Sequence, residues 1–354
     1  MEEKILKLSK NRVRRNYLGG EHIDALQHIA SQGPSDMPEE WIASIVKAKN
    51  PGLEEIKNEG LSKCIYNGKE IPLIDVIKSD PEFWLGKKDA SLGFLFKILD
   101  SSMRLHVQAH PTADFAKKYL NSKYGKLETY YILDCFGGDG YIRIGFQHAP
   151  TKEEWKRIIE TQDIKAMNSC FEKVPVKPGD VWIIPGGVPH AIGENVMMLE
   201  IMEPSDFVVR CEYNREGIIV PPEARFMNRT LDFCLDIFDY TEYSVSDAEK
   251  NFKLDIQNLH SDSTSTYDVL VSHERVNSFE VRRLRLTPNS SISLDVDRAS
   301  AALLVKGSNS KLSCADNSLT LQKGEEAFIS ASAKKIEVQS YDEEIELCLV
   351  FDYS

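Results

Sequence analysis

The sequence has no long apolar run. Hydrophobic residues make up 42% of its 354 positions, yet no stretch approaches the ~20 consecutive apolar residues of a membrane helix. No apolar run of signal length stands at Met1 to Arg15, which is charged throughout, so no secretory signal is expected there. Cysteine is sparse and unorganised: seven residues, an odd number, with no Cys-x-x-Cys. That usage argues against a disulfide scaffold and for reduced thiols, so the expected compartment is the cytoplasm. Positive charge is short as well, with 43 Lys and Arg against 55 Asp and Glu, a net charge of −12. Such a balance excludes nucleic-acid binding by bulk electrostatics, and the apolar share excludes a disordered chain. An acidic protein that handles an anionic ligand needs a local cluster of Lys and Arg that overrides the global sign.

The informative stretch is Pro178-Gly179-Asp180-Val181-Trp182-Ile183-Ile184-Pro185-Gly186-Gly187-Val188-Pro189-His190. Pro178-Gly179-Asp180 is a turn, Val181 to Ile184 has strand composition, and Pro185-Gly186-Gly187 is a second turn. His190 then enters an extended segment. Turn, strand, turn and one inward histidine is how a small β-barrel sets a metal ligand at its mouth. Gly179, Pro185, Gly187 and His190 stand at the spacing of the second cupin signature, which this segment closely resembles. The terminal Asn of that signature is displaced by one residue, to Asn195.

One histidine cannot hold a catalytic metal, and partners lie upstream. In Leu105-His106-Val107-Gln108-Ala109-His110-Pro111, Gln108 and His110 share a strand face, as do His106 and Gln108. Cupins usually show His-any-His here. A Gln in place of the first His, followed by Ala-His-Pro, is similar to the cupin-type zinc-dependent mannose-6-phosphate isomerases. Gly125-Lys126-Leu127-Glu128 resembles that family's next motif, and Leu199 to Arg210 its strand after the histidine. The resemblance covers about residues 17 to 210. It departs at Arg12-Val13-Arg14-Arg15, ahead of Tyr17-Leu18-Gly19-Gly20, and at Cys211 to Glu216 after Arg210.

The resemblance implies one zinc per chain, held by Gln108, His110, Glu128 and His190. It also implies a substrate-binding Lys126, a base at Glu200 and a fixed cation at Arg210. By residue type the same oxygen and nitrogen set could hold iron or manganese, with Asp114 as rival carboxylate and His106 as rival to Gln108. The implied reaction interconverts mannose 6-phosphate and fructose 6-phosphate through a cis-enediol, with a Lewis acid at the sugar oxygens and a base near the carbons. Arg215, Arg225 and the Arg12 to Arg15 cluster are candidate phosphate ligands. The cluster's plainer reading is a solvated arm. Two other classes stay open: a metal-dependent cupin oxygenase or epimerase, and a sugar-binding cupin that has lost turnover. The expected partner is a small sugar phosphate, not nucleic acid or membrane, with the chain a monomer or homodimer.

The expected fold is mainly β with helical additions: two cupin (jelly-roll) barrels, the second a degenerate copy. Leu321 to Ser330 repeats the rhythm of Val176 to Pro185, with Ala331 to Ile336 where the histidine segment should be. The expected domains are a catalytic barrel over 1–245, a linker over 246–265 and a metal-free barrel over 266–354. Helices are expected after the caps Ser35-Asp36, Thr112 and Thr151, the first with Trp41, Ile42, Ile45 and Val46 as its apolar stripe. A fourth is expected near Leu231, Cys234, Leu235 and Phe238.

Overall fold

A computed structural model describes residues 2–354. Two pairs of antiparallel sheets dominate it. In the first half, a seven-stranded sheet runs in the order Lys253–Leu254, Val181–Ile184, Glu128–Cys135, Val196–Met202, Leu95–Ser101, Glu39–Ile42 and Arg12–Val13. A five-stranded sheet, Val174–Pro175, Tyr141–Ile144, His190–Ile192, Gln108–Ala109 and Val209–Arg210, faces it. Tyr130, Ile132, Trp182 and Met198 from the first sheet pack between the layers against Ile142, Ile144 and Ile192 from the second.

The second half repeats the plan. Its seven-stranded sheet runs Ile5–Lys7, Glu326–Ile329, Ser300–Lys306, Ile345–Asp352, Phe279–Leu286, Ser265–Val271 and Gln257–Ser261. A four-stranded sheet of Ser291–Val296, Lys334–Ser340, Asn309–Ser313 and Ser318–Gln322 lies over it. Leu284, Leu304, Leu347 and Leu349 meet Leu294, Leu312 and Val338 in an apolar core between them.

The two seven-stranded sheets are packed back to back. Phe96, Ile98, Leu199 and Ile201 on one outer face share a core with Phe279, Val281, Leu303 and Val350 on the other. This explains why Leu95–Ser101 and Val196–Met202 are buried at every position: a strand covered on both faces loses the alternation that marks a half-exposed one. Tyr131 crosses the junction to donate a hydrogen bond to Glu346 at 2.7 Å.

The capped helices form at Ala113–Tyr119, Lys152–Thr161 and Leu231–Cys234. Thr151 and Glu154 make the reciprocal capping box. The helix expected after Ser35-Asp36 does not form. Glu39–Ile42 is instead a fully buried strand, pairing with Arg12–Val13 on one side and Leu95–Ser101 on the other. Tertiary pairing outweighs a plausible cap and stripe there. Residues 246–265 are also structured, holding most of the helix Val245–Phe252, the edge strand Lys253–Leu254 of the first half and the edge strand Gln257–Ser261 of the second.

Candidate metal centre

The five-stranded sheet sets three functional side chains in a row. Gln108 pairs directly with His190 on one side and Arg210 on the other, and directly opposed residues of antiparallel strands project to the same face. Glu128, the first residue of its strand, comes from the facing sheet, where it pairs with Ile184 and Met202. His110 lies just beyond the Gln108–Ala109 strand. Glycine fixes its backbone. A Cβ at Gly186 would lie 2.7 Å from Pro111 O, and one at Gly125 only 2.4 Å from the same oxygen. Gly187, at φ +93°, donates its amide to His110 O at 2.7 Å. The glycines of two motifs therefore clamp the turn that carries the third.

His110, Glu128 and His190 each offer a ligand atom within 4.8 Å of the others, and all three are buried. His110 Nδ1 donates to Phe207 O at 2.8 Å, and His190 Nδ1 to Val188 O at 2.9 Å. In a neutral imidazole that leaves each Nε2 lone pair facing the centre. Burial first, and then the Lys126 charge, push His110 down to about 3, so it is neutral at ordinary pH. Burial would lift Glu128, but Lys126 and the histidines outweigh it and hold the carboxyl well below its usual range.

The 2.9 Å approach of His110 Nε2 to Glu128 Oε1 therefore joins a lone pair to an anion, and Glu128 Oε1 has no hydrogen-bond partner. Only the Lys126 ammonium, 3.0 Å from Glu128 Oε1 and 3.3 Å from His110 Nε2, opposes that repulsion. Converging buried acceptors, with a carboxylate oxygen that only the Lys126 ammonium meets, fit a divalent cation. Two imidazoles and a carboxylate suit zinc, and Gln108 stands beside them, its amide nitrogen 3.5 Å from His190 Nε2. The facing oxygen of Glu128 is steadied by a 2.6 Å hydrogen bond from Tyr130.

Beside this centre lies a second buried cluster in the same pocket, which Lys126, Gln108, Glu200 and Arg210 all line. Lys97, opposite Glu200 in the strand register, places Nζ 2.8 Å from Glu200 Oε2 and 3.6 Å from Glu39 Oε2. Burial lifts Glu200 to about 8, against the pull of Lys97. Glu39 is saturated by Arg15 at 2.9 Å, Tyr17 at 2.7 Å and Trp41 Nε1 at 2.6 Å. Burial opposes its ionisation, but Arg15 and Lys97 prevail and hold it down at about 2. One carboxyl of this cluster is thus a fixed anion and the other sits near its midpoint. Arg210 donates to Ala224 O at 2.7 Å, and burial lowers it to about 10, which still leaves it cationic.

Glu39, Lys97, Tyr17 and Asp206 escaped the sequence reading. Lys97 alone carried a signal, a single charge inside the otherwise apolar run Leu92 to Leu99. The Arg12 to Arg15 cluster is no solvated arm: Arg12 pairs with Asp24, Arg14 with Glu59, and buried Arg15 with Glu39 and Asp206. Asp114 is exposed on the helix Ala113–Tyr119, outside the ligand group. His106 lines the pocket, but burial pushes it down to about 4 and its Nε2 lies 3.3 Å from Ile218 O. Arg215 is drawn to Arg104 O at 3.0 Å and to Glu212 at 3.5 Å, and Arg225 lies 3.9 Å over the Tyr213 ring. Past Arg210 the pocket opens into an outer cleft of about 400 Å³, where exposed Lys49 and half-buried Asn50 stand.

Paired antiparallel sheets with a buried His, Glu and His at one end define a barrel-mouth constellation able to hold one divalent metal. No protein-family model matches the chain. Over 171 residues it is 36% identical to the probable mannose-6-phosphate isomerase GmuF of Bacillus subtilis, an alignment of 48% of this chain and 50% of that protein. The chain spans about half the length of the curated relatives it matches. In fold it is similar to the crystal structure of the mannose 6-phosphate isomerase from Bacillus subtilis, with a TM-score of 0.73, 18% identity and 98% of this chain and 99% of that one covered. A zinc-bound mannose 6-phosphate isomerase structure aligns with a TM-score of 0.70 at 16% identity, over 99% of this chain and 100% of that one. Over the aligned half the chain is thus similar to proteins named mannose-6-phosphate isomerases, and over its whole length it shares their fold.

Proposed function

We propose that this chain is a mononuclear zinc isomerase that interconverts mannose 6-phosphate and fructose 6-phosphate. The observation that carries the reading is the convergence of buried His110, Glu128 and His190 on one point, with a near-neutral carboxyl, Glu200, in the adjoining pocket. The relatives named mannose-6-phosphate isomerases support the substrate. Gln108, His110, Glu128 and His190 would hold the ion, which when bound supplies a Lewis acid for the sugar's carbonyl and hydroxyl oxygens. Glu200 takes the proton from C2 of the open-chain aldose and returns it to C1, while the hydroxyl proton passes from O2 to O1. A carboxyl poised near 8 suits both directions. Lys97 keeps Glu200 in place. Arg210 cannot give up its proton and offers fixed positive charge to the enediolate. Lys126, buried beside Glu128, reaches the same pocket as a substrate-binding cation.

With Arg215 and Arg225 held elsewhere, the phosphate end is assigned to the outer cleft. Lys49 stands there without an ion-pair partner among the described residues, and Arg210 joins that cleft to the inner pocket. The matching strand orders of the two halves support two jelly-roll barrels, catalytic over 1–245 and degenerate over 266–354, joined through 246–265. Seven free cysteines support a reducing, cytoplasmic setting for a monomer or homodimer that meets neither nucleic acid nor membrane. Among the described residues no helix is long and apolar enough to cross a membrane. The test is a coupled assay of mannose 6-phosphate turnover before and after chelation. Loss on chelation and recovery with zinc support the reading; an unchanged rate in metal-free protein overturns it.

A further inference from the structure

On the opposite face of the strand from Glu39, the junction of the two halves buries two carboxylates that form no ion pair. Glu40 lies on the Glu39–Ile42 strand, one residue from Trp41 and on the same face as Ile42, which belongs to the core shared by both halves. Glu326 begins the Glu326–Ile329 strand of the second half, on the face of Phe328, another member of that core. Their exposures are 0% and 3%. Gln27, at the end of the helix Glu21–Leu26 and 6% exposed, completes the group. Its Nε2 donates to Glu40 Oε2 at 3.3 Å, and Gly324, two residues before Glu326, leaves room for it: a Cβ there would lie 3.0 Å from Gln27 Cγ.

Three oxygens in this group lack any hydrogen-bond partner: both carboxylate oxygens of Glu326 and Oε1 of Gln27. Burial, and then the nearby Glu40 charge, push Glu326 well above its usual range, and burial lifts Glu40 to about 7. The surrounding charges relieve this only in part. Lys7 is taken by Glu325 at 2.6 Å and Arg12 by Asp24 at 2.7 Å. Lys10 is exposed and turned to Gln27 O at 3.4 Å.

A proton shared between the carboxyls would satisfy one of the three orphaned oxygens and strand the other two, each a buried polar group left unpaired. A cation seated in this group would supply the positive charge that both carboxylates lack. Two carboxylates balance a double positive charge, and an all-oxygen set with no sulfur or imidazole selects hard ions over zinc. Glu326 also borders an open cavity with Ser9, Lys10, Ile65, Gly324 and Glu325, although both its carboxylate oxygens are buried.

We propose that Glu40, Glu326 and Gln27 form a second cation site, for a hard divalent ion of the calcium or magnesium kind, which staples the two halves together. The full chain, with its His110, Glu128 and His190 site loaded with zinc, is titrated with calcium chloride and separately with magnesium chloride, by calorimetry and by thermal unfolding. One further ion should bind per chain and raise Tm by about 3 °C at a hundredfold excess over Kd. Glu326→Gln should abolish the heat and the shift, keep its zinc, and melt no lower than the cation-free parent. Gln27→Met should weaken binding about tenfold, and carries the test alone if Glu326→Gln does not fold. Absence of heat and shift with both ions, or an unaltered titration in both variants, overturns the site. A cation-free protein whose Tm turns on pH near 7, with neither ion binding, shows a shared proton instead and overturns it equally.

Discussion

The two halves run their strands in the same order, yet among the described residues only the first gathers metal-type ligands. Where Ile184 faces Glu128, the corresponding Ile329 faces Ser300. Met202 and Phe351 confirm the match, pairing with those same two residues. Two positions back along those strands, Glu200 in the first half stands where Leu349 stands in the second. Counting from the paired isoleucines, Lys335 occupies the place of His190. The core between the second pair of sheets is built on aliphatic residues such as Leu284, Leu304, Leu312 and Leu347. The core of the first carries Lys97, Glu39, Glu128 and Glu200 at exposures of 1–3%. Strand order therefore supplies positions, and a handful of side chains at those positions supplies chemistry. The first half keeps buried charge because each group has a partner or awaits a cation. The second has Ser300 and Leu349 in place of the carboxylates Glu128 and Glu200.

The sharpest way to break this comparison is to make the first half resemble the second. Glu128→Ser installs the residue found opposite Ile329, and both metal content and turnover should fall to background in elemental analysis and the coupled assay. Retained metal would show that the carboxylate is dispensable. Glu200→Gln should keep the metal and lose kcat by roughly 10²–10⁴; near-normal turnover would move the base elsewhere. The pH profile refines this. A base must be ionised to act, so activity should rise with pH through an ionisation at or below about 8, since a bound cation draws Glu200 downward. Lys97→Met removes the ammonium that favours the carboxylate and should move that limb to higher pH. A limb left in place would separate Lys97 from the titration.

The converse substitution, Ser300→Glu, buries an unpaired carboxylate and should cost about 3–5 kcal/mol in denaturant unfolding without gaining a metal. A stable, metal-binding variant would mean that the second half needs only one ligand restored. The smallest effect is expected at the outer cleft. Lys49→Ala should raise KM for mannose 6-phosphate by about threefold to tenfold with kcat little changed, as befits one exposed charge-assisted contact. An unaltered KM would place the phosphate elsewhere.

Much of the centre was legible because glycine and proline write geometry into sequence. The spacing from Gly179 to His190 marked the second turn, and Gly187 does bind the backbone of His110. Capping pairs such as Thr151 with Glu154 were legible for the same local reason. The charged cluster was not. Lys97, Glu39 and Arg15 come from segments distant in sequence, and only the pairing of Glu39–Ile42 with its neighbours brings both cations within 3.6 Å of the Glu39 carboxylate. Ser35-Asp36 followed by Trp41, Ile42, Ile45 and Val46 carries a helical period by accident. Glu39–Ile42 is a strand because partners wait on both sides, a fact no local window contains.

The central claim is that one zinc held by this half alone sustains the isomerisation. Zinc per chain, measured by atomic emission alongside mannose 6-phosphate turnover in the parent and in His190→Ala, tests it most directly. The account predicts one zinc and turnover in the parent, and neither in the variant while the second half stays folded. Zinc retained in His190→Ala, or turnover in a chain shown to hold no metal, would contradict it.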